Sequence, residues 1–160
     1  MAKVFILLGG NVGDKSKILE QTRNLIDIRI GKIIQQSAVY KTESWGFKTE
    51  QFYNQAICLE SQLTPFEILE QTQALEKQIG RIKKSDKYED RIIDIDLIFY
   101  DELSICSTQL TIPHPRIGER RFVLIPLLEI DPELSHPITG MSLSQMLDTC
   151  PDKLSVERLD

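Results

Sequence analysis

Cysteine is scarce in this 160-residue chain: Cys58, Cys106 and Cys150 are widely spaced, odd in number and form no Cys-x-x-Cys pair. That spacing excludes a disulfide scaffold and gives no support for a zinc or dithiol site. The three read as buried or partly buried free thiols in a reducing cytosol. Histidine is limited to two residues, His114 and His136, too far apart in sequence to suggest a metal site between them. An excess of positive charge is also lacking. With 19 Lys and Arg against 24 Asp and Glu the net charge is −5, which argues against a nucleic-acid binder working through a broad basic surface. No apolar run approaches membrane-spanning length. The opening Met1 to Gly9 faintly resembles a signal peptide, but its apolar part, Val4 to Leu8, is too short and no small-residue cleavage site follows, so it reads as a first core strand. No linker, repeat or low-complexity stretch divides the chain, which reads as one domain over residues 1–160 with enough length to bury a core.

After the strand Val4 to Leu8, the turn Gly9-Gly10-Asn11-Val12-Gly13-Asp14 leads into a helix from about Ser16 to Ile28, with Gly and Asn supplying positive φ. Strand signals return at Ile33 to Thr42 and at Phe52 to Leu59, separated by a loop from Glu43 to Gln51 that carries the only tryptophan, Trp45. The next helix is strongly punctuated. Thr64 is placed to cap it, Pro65 suits the first helical position, Glu67 completes a capping box and Gly80 ends it, with Ile68, Thr72, Leu75 and Ile79 as the buried stripe. A strand from Arg91 to Tyr100 follows, then a turn at Asp101-Glu102 into a short partner strand around Ser104 to Cys106. Pro113-His114-Pro115-Arg116 precedes a helical stretch containing Arg120, Arg121 and Phe122, and Ser142 with Gln145 marks a last short helix. The order β-α-β-β-α-β predicts a ferredoxin-like α+β sandwich, an antiparallel sheet with helices on one face, plus a C-terminal helical extension.

Within Arg91-Ile92-Ile93-Asp94-Ile95-Asp96-Leu97-Ile98-Phe99-Tyr100, strand alternation puts Asp94 and Asp96 on one face, roughly 7 Å apart, and Ile93, Ile95, Leu97 and Phe99 on the other. Two anions on one face repel unless cations sit between them, and Mg²⁺ is typically held by one or two carboxylates plus substrate phosphates. A solvated edge-strand face would carry the same pattern. Just upstream, Lys77 to Arg91 holds six basic and three acidic side chains, a local net of +3 that sets cations for phosphate oxygens beside anions for Mg²⁺. The Gly9 to Ser16 segment is no P-loop, because Asp14 separates Gly13 from Lys15-Ser16, and no dinucleotide fingerprint, because Leu8 replaces its first glycine. Gln73 and Glu76 are neighbours on one helix face, and His114 between two prolines could donate to a phosphate or move a proton. Phe52 and Asn54 share a strand face, a pairing that suits a flat heterocycle and equally a core strand with one satisfied amide. His136, in Ser135-His136-Pro137, reads as structural.

Together, Arg91-x-x-Asp94-x-Asp96, Pro113-His114-Pro115-Arg116, Glu119-Arg120-Arg121-Phe122-Val123-Leu124 and Gly9-Gly10-Asn11-Val12-Gly13 resemble 6-hydroxymethyl-7,8-dihydropterin pyrophosphokinase of folate biosynthesis, from about Lys3 to Leu147. The resemblance implies transfer of the terminal pyrophosphate of ATP to the pterin hydroxymethyl group, release of AMP, and two Mg²⁺ ions held by Asp94 and Asp96. It implies triphosphate contacts from Arg81, Lys83, Arg91, His114 and Arg120, with Gln73, Glu76, Leu97 and Thr111 on the nucleotide side and Tyr88 an aromatic that could stack there. Phe52 and Phe122 would sandwich the pterin, and Asn54 with the segment Thr42, Ser44 and Trp45 would read its edge. Glu89-Asp90 stands where many members have Gly-Pro, and Gln109 where some have Arg. The expected partners are ATP and the dihydropterin, for a cytoplasmic monomer that touches neither membrane nor nucleic acid. An RNA-recognition module shares the element order, but the aromatic RNA-binding pattern is absent and the charge is acidic. A metal-dependent nucleotidyl transferase on the same fold would also use paired aspartates.

Overall fold

The structure, a computed structural model, describes residues 1–42, 51–80 and 92–159. Its first strand, β1 (Ala2–Gly10), runs past the expected Leu8 because both glycines stay in the ladder. Gly9 lies opposite Asn54 and Gly10 opposite Tyr53 of β4 (Phe52–Ser61), and Gly9 also lies opposite Asp94 of β5 (Asp94–Tyr100). Within the following turn only Gly13 takes positive φ, at 81°. Asp14 then caps α1 (Lys15–Arg29), its carboxylate accepting from the Lys17 N–H.

The single strand expected from Ile33 to Thr42 is two, β2 (Lys32–Gln36) and β3 (Val39–Thr42), each pairing a different part of β4. Side chains cause the break. The Ser37 hydroxyl accepts from Ala56 N–H and the Glu129 carboxylate accepts from Ala38 N–H, so this backbone is satisfied outside the regular ladder. Helix α2 (Pro65–Ile79) starts in the reciprocal Thr64–Glu67 capping box and stops at Gly80, as its sequence predicts. The short strand after β5 pairs elsewhere than expected. Asp101, at φ 50°, is tied to β1 through two hydrogen bonds with Lys3, and the chain then leaves the sheet. Strand β6 (Ile105–Cys106) instead forms a separate two-stranded sheet with β7 (Thr111–Ile112).

The main sheet runs β5-β1-β4-β3, with β2 also on β4 and every pairing antiparallel, which is the ferredoxin-like arrangement. Helices α1 and α2 cover one face, where Leu19, Ile26, Ile68 and Leu75 pack on Val4, Ile6, Leu8, Ile57 and Leu59. The other face is covered too, which corrects the expectation of helices on one side only. There α3 (Arg121–Ile130) and α4 (Leu143–Asp148) pack Val123, Leu124, Leu127 and Leu143 against Phe5, Leu7, Ala56 and Cys58. The uninterrupted apolar run of β1 has its reason here, since a strand buried on both faces has no polar side. The C-terminal extension ends in a strand rather than a helix: β8 (Val156–Leu159) extends the sheet beyond β3.

A bulge in β5 corrects a second expectation. Leu97 faces Ile6 and Phe99 faces Phe5, leaving Ile98 as an extra residue, so the alternation slips by one. Ile93, Ile95 and Leu97 enter the α1/α2 core, whereas Phe99 joins Ile98 in the α3/α4 core, on the same side as Asp94 and Asp96. Its ring meets Phe5 edge-on at 6.1 Å. Among the cysteines, Cys58 and Cys150 are buried as expected, but Cys106 is exposed. Burial pushes the Cys58 thiol up to about 11, an inert group.

Gly31, after α1, makes the tightest backbone approach of the described glycines. A Cβ there would run into the Glu60 carbonyl oxygen, part of β4 backbone that cannot yield. Gly31→Ala is expected to cost about 2–4 kcal/mol and lower Tm by roughly 5–12 °C, measured by thermal unfolding followed by circular dichroism.

Candidate active site

On the α3 side of the sheet, the register sets out a row of side chains. Asp94 on β5, Gly9 on β1, Asn54 on β4 and Tyr40 on β3 lie directly opposite one another, and Asp96, Leu7 and Ala56 form the next row. Adjacent strands are about 4.8 Å apart, so Asp94 and Asn54, two strands apart, are separated by roughly 10 Å. Gly9 between them contributes no side chain, which opens the floor of a cavity of about 540 Å³. This is an ordinary size for a small-molecule site. Leu7, Gly9, Thr42, Phe52, Asn54, Asp94 and Asp96 form its floor, and Arg116, Glu119, Arg120, Phe122, Pro151 and Asp152 its other walls.

One end is apolar and planar. Phe52 rises from the start of β4 and Phe122 from the first turn of α3, both half-buried. Asn54, only 3% exposed, donates through Nδ2 to the Thr42 hydroxyl at 2.8 Å, which leaves its carbonyl oxygen on the Gly9 side. A Cβ on Gly9 would lie 2.7 Å from that oxygen, so glycine here is required by the neighbouring amide and not by its own φ.

The other end is charged. Asp94 and Asp96 are partly exposed at the edge strand of the sheet. Between them the Ile95 N–H donates to the Glu76 carboxylate at 2.7 Å, so α2 holds this segment of β5 straight. Arg120 stands opposite. Burial and then Arg116 lower its pKa, while Asp96, Glu119 and Asp152 act the other way, and a guanidinium stays charged under that balance. Its guanidinium carbon also lies 5.7 Å from the centre of the Phe122 ring, linking the two ends of the cavity.

His114 is half-buried just before this wall and accepts from the Arg116 N–H through Nδ1 at 3.4 Å. Desolvation, then the positive charges of Arg120 and Arg116, lower its pKa from the usual 6.5. The folded protein therefore resists a proton that the unfolded chain accepts, so stability from this group is intact above about pH 6.5 and is lost as pH falls through the folded value. An NMR titration is expected to place the His114 midpoint below 6.5, and His114→Gln should reduce the acid-side loss of stability. His136 takes the structural part expected of it, accepting from the Ile138 and Thr139 N–H groups.

Asp94, Asp96, Arg120, Thr42, Phe52, Asn54 and Phe122 thus meet around one cavity. Other expected positions lie elsewhere. Leu97 is buried in the α1/α2 core, and Thr111 is half-exposed on β7. Gln73 lines a second, open hollow between α2 and the β6–β7 turn, together with Phe66, Leu69, Thr108 and Gln109. Ser44, Trp45, Arg81, Lys83, Tyr88, Glu89, Asp90 and Arg91 lie outside the described residues. Leu7, Gly9, Arg116, Glu119, Pro151 and Asp152 line the cavity without having been assigned a place there. Gly9, Arg116 and Glu119 at least fall within the motifs that carry the resemblance, whereas Pro151 and Asp152 have no sequence signal.

The cavity thus sets paired carboxylates and an arginine at one end against two rings and a buried amide at the other, a cation and oxygen ligands facing a flat apolar slot. Comparison with known proteins makes this specific. Residues 5–132 match the model of 7,8-dihydro-6-hydroxymethylpterin-pyrophosphokinase, and the chain belongs to that family. It is similar to the 2-amino-4-hydroxy-6-hydroxymethyldihydropteridine pyrophosphokinase of Porphyromonas gingivalis, 39% identical over 86% of this chain and 95% of that protein. The Bacillus subtilis protein of the same name is 34% identical over 88% and 85% of the two chains. The folic acid synthesis protein fol1 of Pneumocystis carinii is 37% identical over 93% of this chain, which spans only 20% of that longer protein. Among solved structures, the Plasmodium falciparum HPPK-DHPS A437G protein superposes with a TM-score of 0.77 at 16% identity, covering 92% of this chain and 45% of that one, a likeness of fold. As a family member the chain is an ATP-dependent pyrophosphokinase, acting on a hydroxymethyl dihydropterin in folate biosynthesis. No helix of the described residues is long and apolar enough to cross a membrane.

Proposed function

We propose that this cavity is where pyrophosphate passes from ATP to the pterin, with Asp94 and Asp96 holding two Mg²⁺ ions at the phosphate end. The observation that carries the assignment is the row Asp94–Gly9–Asn54, which sets a carboxylate and a buried amide on one floor with an open glycine between them. The donor set fits the metal. Mg²⁺ prefers hard oxygens and uses one or two carboxylates together with substrate phosphates, and among the described residues no cluster of three or more His, Cys, Asp or Glu offers a complete protein cage. Bound there, the ions would neutralise phosphate charge and orient the polyphosphate.

The side chains divide the remaining work. Phe52 and Phe122 stack on the two faces of the pterin, while Asn54, held by Thr42, pairs with its edge; Ser44 and Trp45 complete that edge. Arg120 and His114, with Arg81, Lys83 and Arg91, bind the triphosphate, and Gln73, Glu76, Tyr88 and Thr111 take the nucleotide side. The pterin hydroxymethyl oxygen bonds to the β-phosphorus as the bond from that phosphorus to the α–β bridging oxygen breaks, AMP leaves with the bridging oxygen, and the hydroxyl proton passes to solvent. Positive side chains around the β- and γ-phosphates offset the charge that develops there. We assign no side chain as a base. We propose that it acts as a monomer in the reducing cytosol, which the three free cysteines suit.

Phosphorus NMR of ATP and 6-hydroxymethyl-7,8-dihydropterin with Mg²⁺ tests this reading. AMP and the pterin diphosphate should appear together without free pyrophosphate. Release of pyrophosphate would identify a nucleotidyl transferase instead.

A further inference from the structure

Helix α3 begins under conflicting demands. Its N-cap position is occupied by Arg120, which makes no side-chain capping hydrogen bond. A guanidinium can only donate, whereas the first turn of a helix needs acceptors and disfavours positive charge. The cavity nevertheless needs a cation there for phosphate, and it needs Phe122 two residues on for the pterin.

The missing acceptor comes from a residue 31 positions downstream. Asp152 is 6% exposed, and its Oδ2 accepts from the Arg121 N–H at 3.1 Å while Oδ1 accepts from the Leu154 N–H at 2.9 Å. It thereby supplies an acceptor for the first N–H of the helix and the negative charge that an Asp cap would have given. Asp152 and Pro151 also line the cavity beside Arg120 and Phe122. Their segment is fixed a few residues later by β8, where Val156 lies opposite Thr42, the partner of Asn54. Pro151, Asp152 and β8 lie beyond residues 5–132, the part matched by the family.

We propose that Asp152 is a positioning residue for the transfer reaction: a remote cap on α3 that holds Arg120 toward the polyphosphate and Phe122 over the pterin. This rests on the reading of the cavity given above. Removing the carboxylate frees the start of α3, so both substrates are held less well and fewer bound complexes are aligned for transfer.

Steady-state kinetics on the full chain test the proposal, with wild-type turnover established first, so that failure of the functional reading is seen separately. In Asp152→Ala, kcat/KM is expected to fall at least about tenfold for both ATP and the dihydropterin at temperatures well below Tm. The isosteric Asp152→Asn retains one acceptor and should fall between that variant and the wild type, while Asp152→Glu should recover part of the loss. Gly31→Ala, which strains the backbone contact with Glu60 away from the cap and the cavity, controls for stability alone and should leave kinetics well below Tm unchanged. A double-mutant cycle gives a readout that a purely structural role would not move: in an Arg120→Ala background, Asp152→Asn should produce little further rise in the KM for ATP. Folded Asp152→Asn with wild-type kinetics, or an undiminished effect in the Arg120→Ala background, would overturn the proposal.

Discussion

Asp94→Ala and Asp96→Ala are each expected to reduce kcat by at least ~10³-fold, because loss of a metal-held charge interaction removes several kcal/mol of transition-state stabilisation. The fold should survive. Both side chains are partly exposed at the edge strand, and the buried hydrophobic content of β5 lies in Ile95, Leu97, Ile98 and Phe99. Removing one of two like charges on a single strand face also relieves repulsion. Circular dichroism spectra matching the wild type, alongside a coupled assay for AMP, check both halves of this expectation. The isosteric asparagine variants should behave in the same way, since they keep the shape and lose the anion. Turnover within an order of magnitude of the wild type in either variant would mean that the carboxylates do not hold the reacting metals.

The second large effect is expected at the other end of the cavity. Asn54→Ala should lower kcat/KM for the dihydropterin by ~10²-fold, from loss of in-plane hydrogen bonds to the heterocycle at roughly 1–1.5 kcal/mol each. The KM for ATP should stay within about threefold, since the aspartates lie two strands away. Asn54 also carries a structural cost. It is buried and bonded to Thr42, so the substitution leaves that hydroxyl without its partner at about 1–3 kcal/mol. A fall in Tm of several degrees is therefore expected, and kinetics must be read well below it. An equal loss for both substrates would indicate general disorder of the cavity and contradict a pterin-reading role.

Local chemistry made parts of this molecule legible from sequence. Helix α2 carries its cap, first-turn proline and terminal glycine within its own residues, and all three sit as expected. Strand parity alone placed Asp94 with Asp96, and Phe52 with Asn54, and each pair does share a face. Non-local effects were not legible. The Ile98 bulge, which moves Phe99 to the aspartate side, arises from the register against β1 and has no signature in β5 itself. Strands β7 and β8 are two and four residues long, too short for a periodicity to register, and each exists only because a distant edge accepts it. Gly9 looked like a turn residue because the steric reason for it, the Asn54 carbonyl, belongs to another strand. Asp152 was invisible for the same cause: a cap drawn from 31 residues away leaves no motif beside the helix it serves.

The central claim is that Asp94 and Asp96 together hold the divalent cations that meet the polyphosphate. Electron paramagnetic resonance titration with Mn²⁺, in the presence of a non-hydrolysable ATP analogue, addresses it directly. The wild-type protein should bind two Mn²⁺ per chain, with the coupled spectrum of neighbouring ions, and Asp94→Asn and Asp96→Asn should each lose at least one of them. Unchanged stoichiometry and affinity in both variants would contradict the claim.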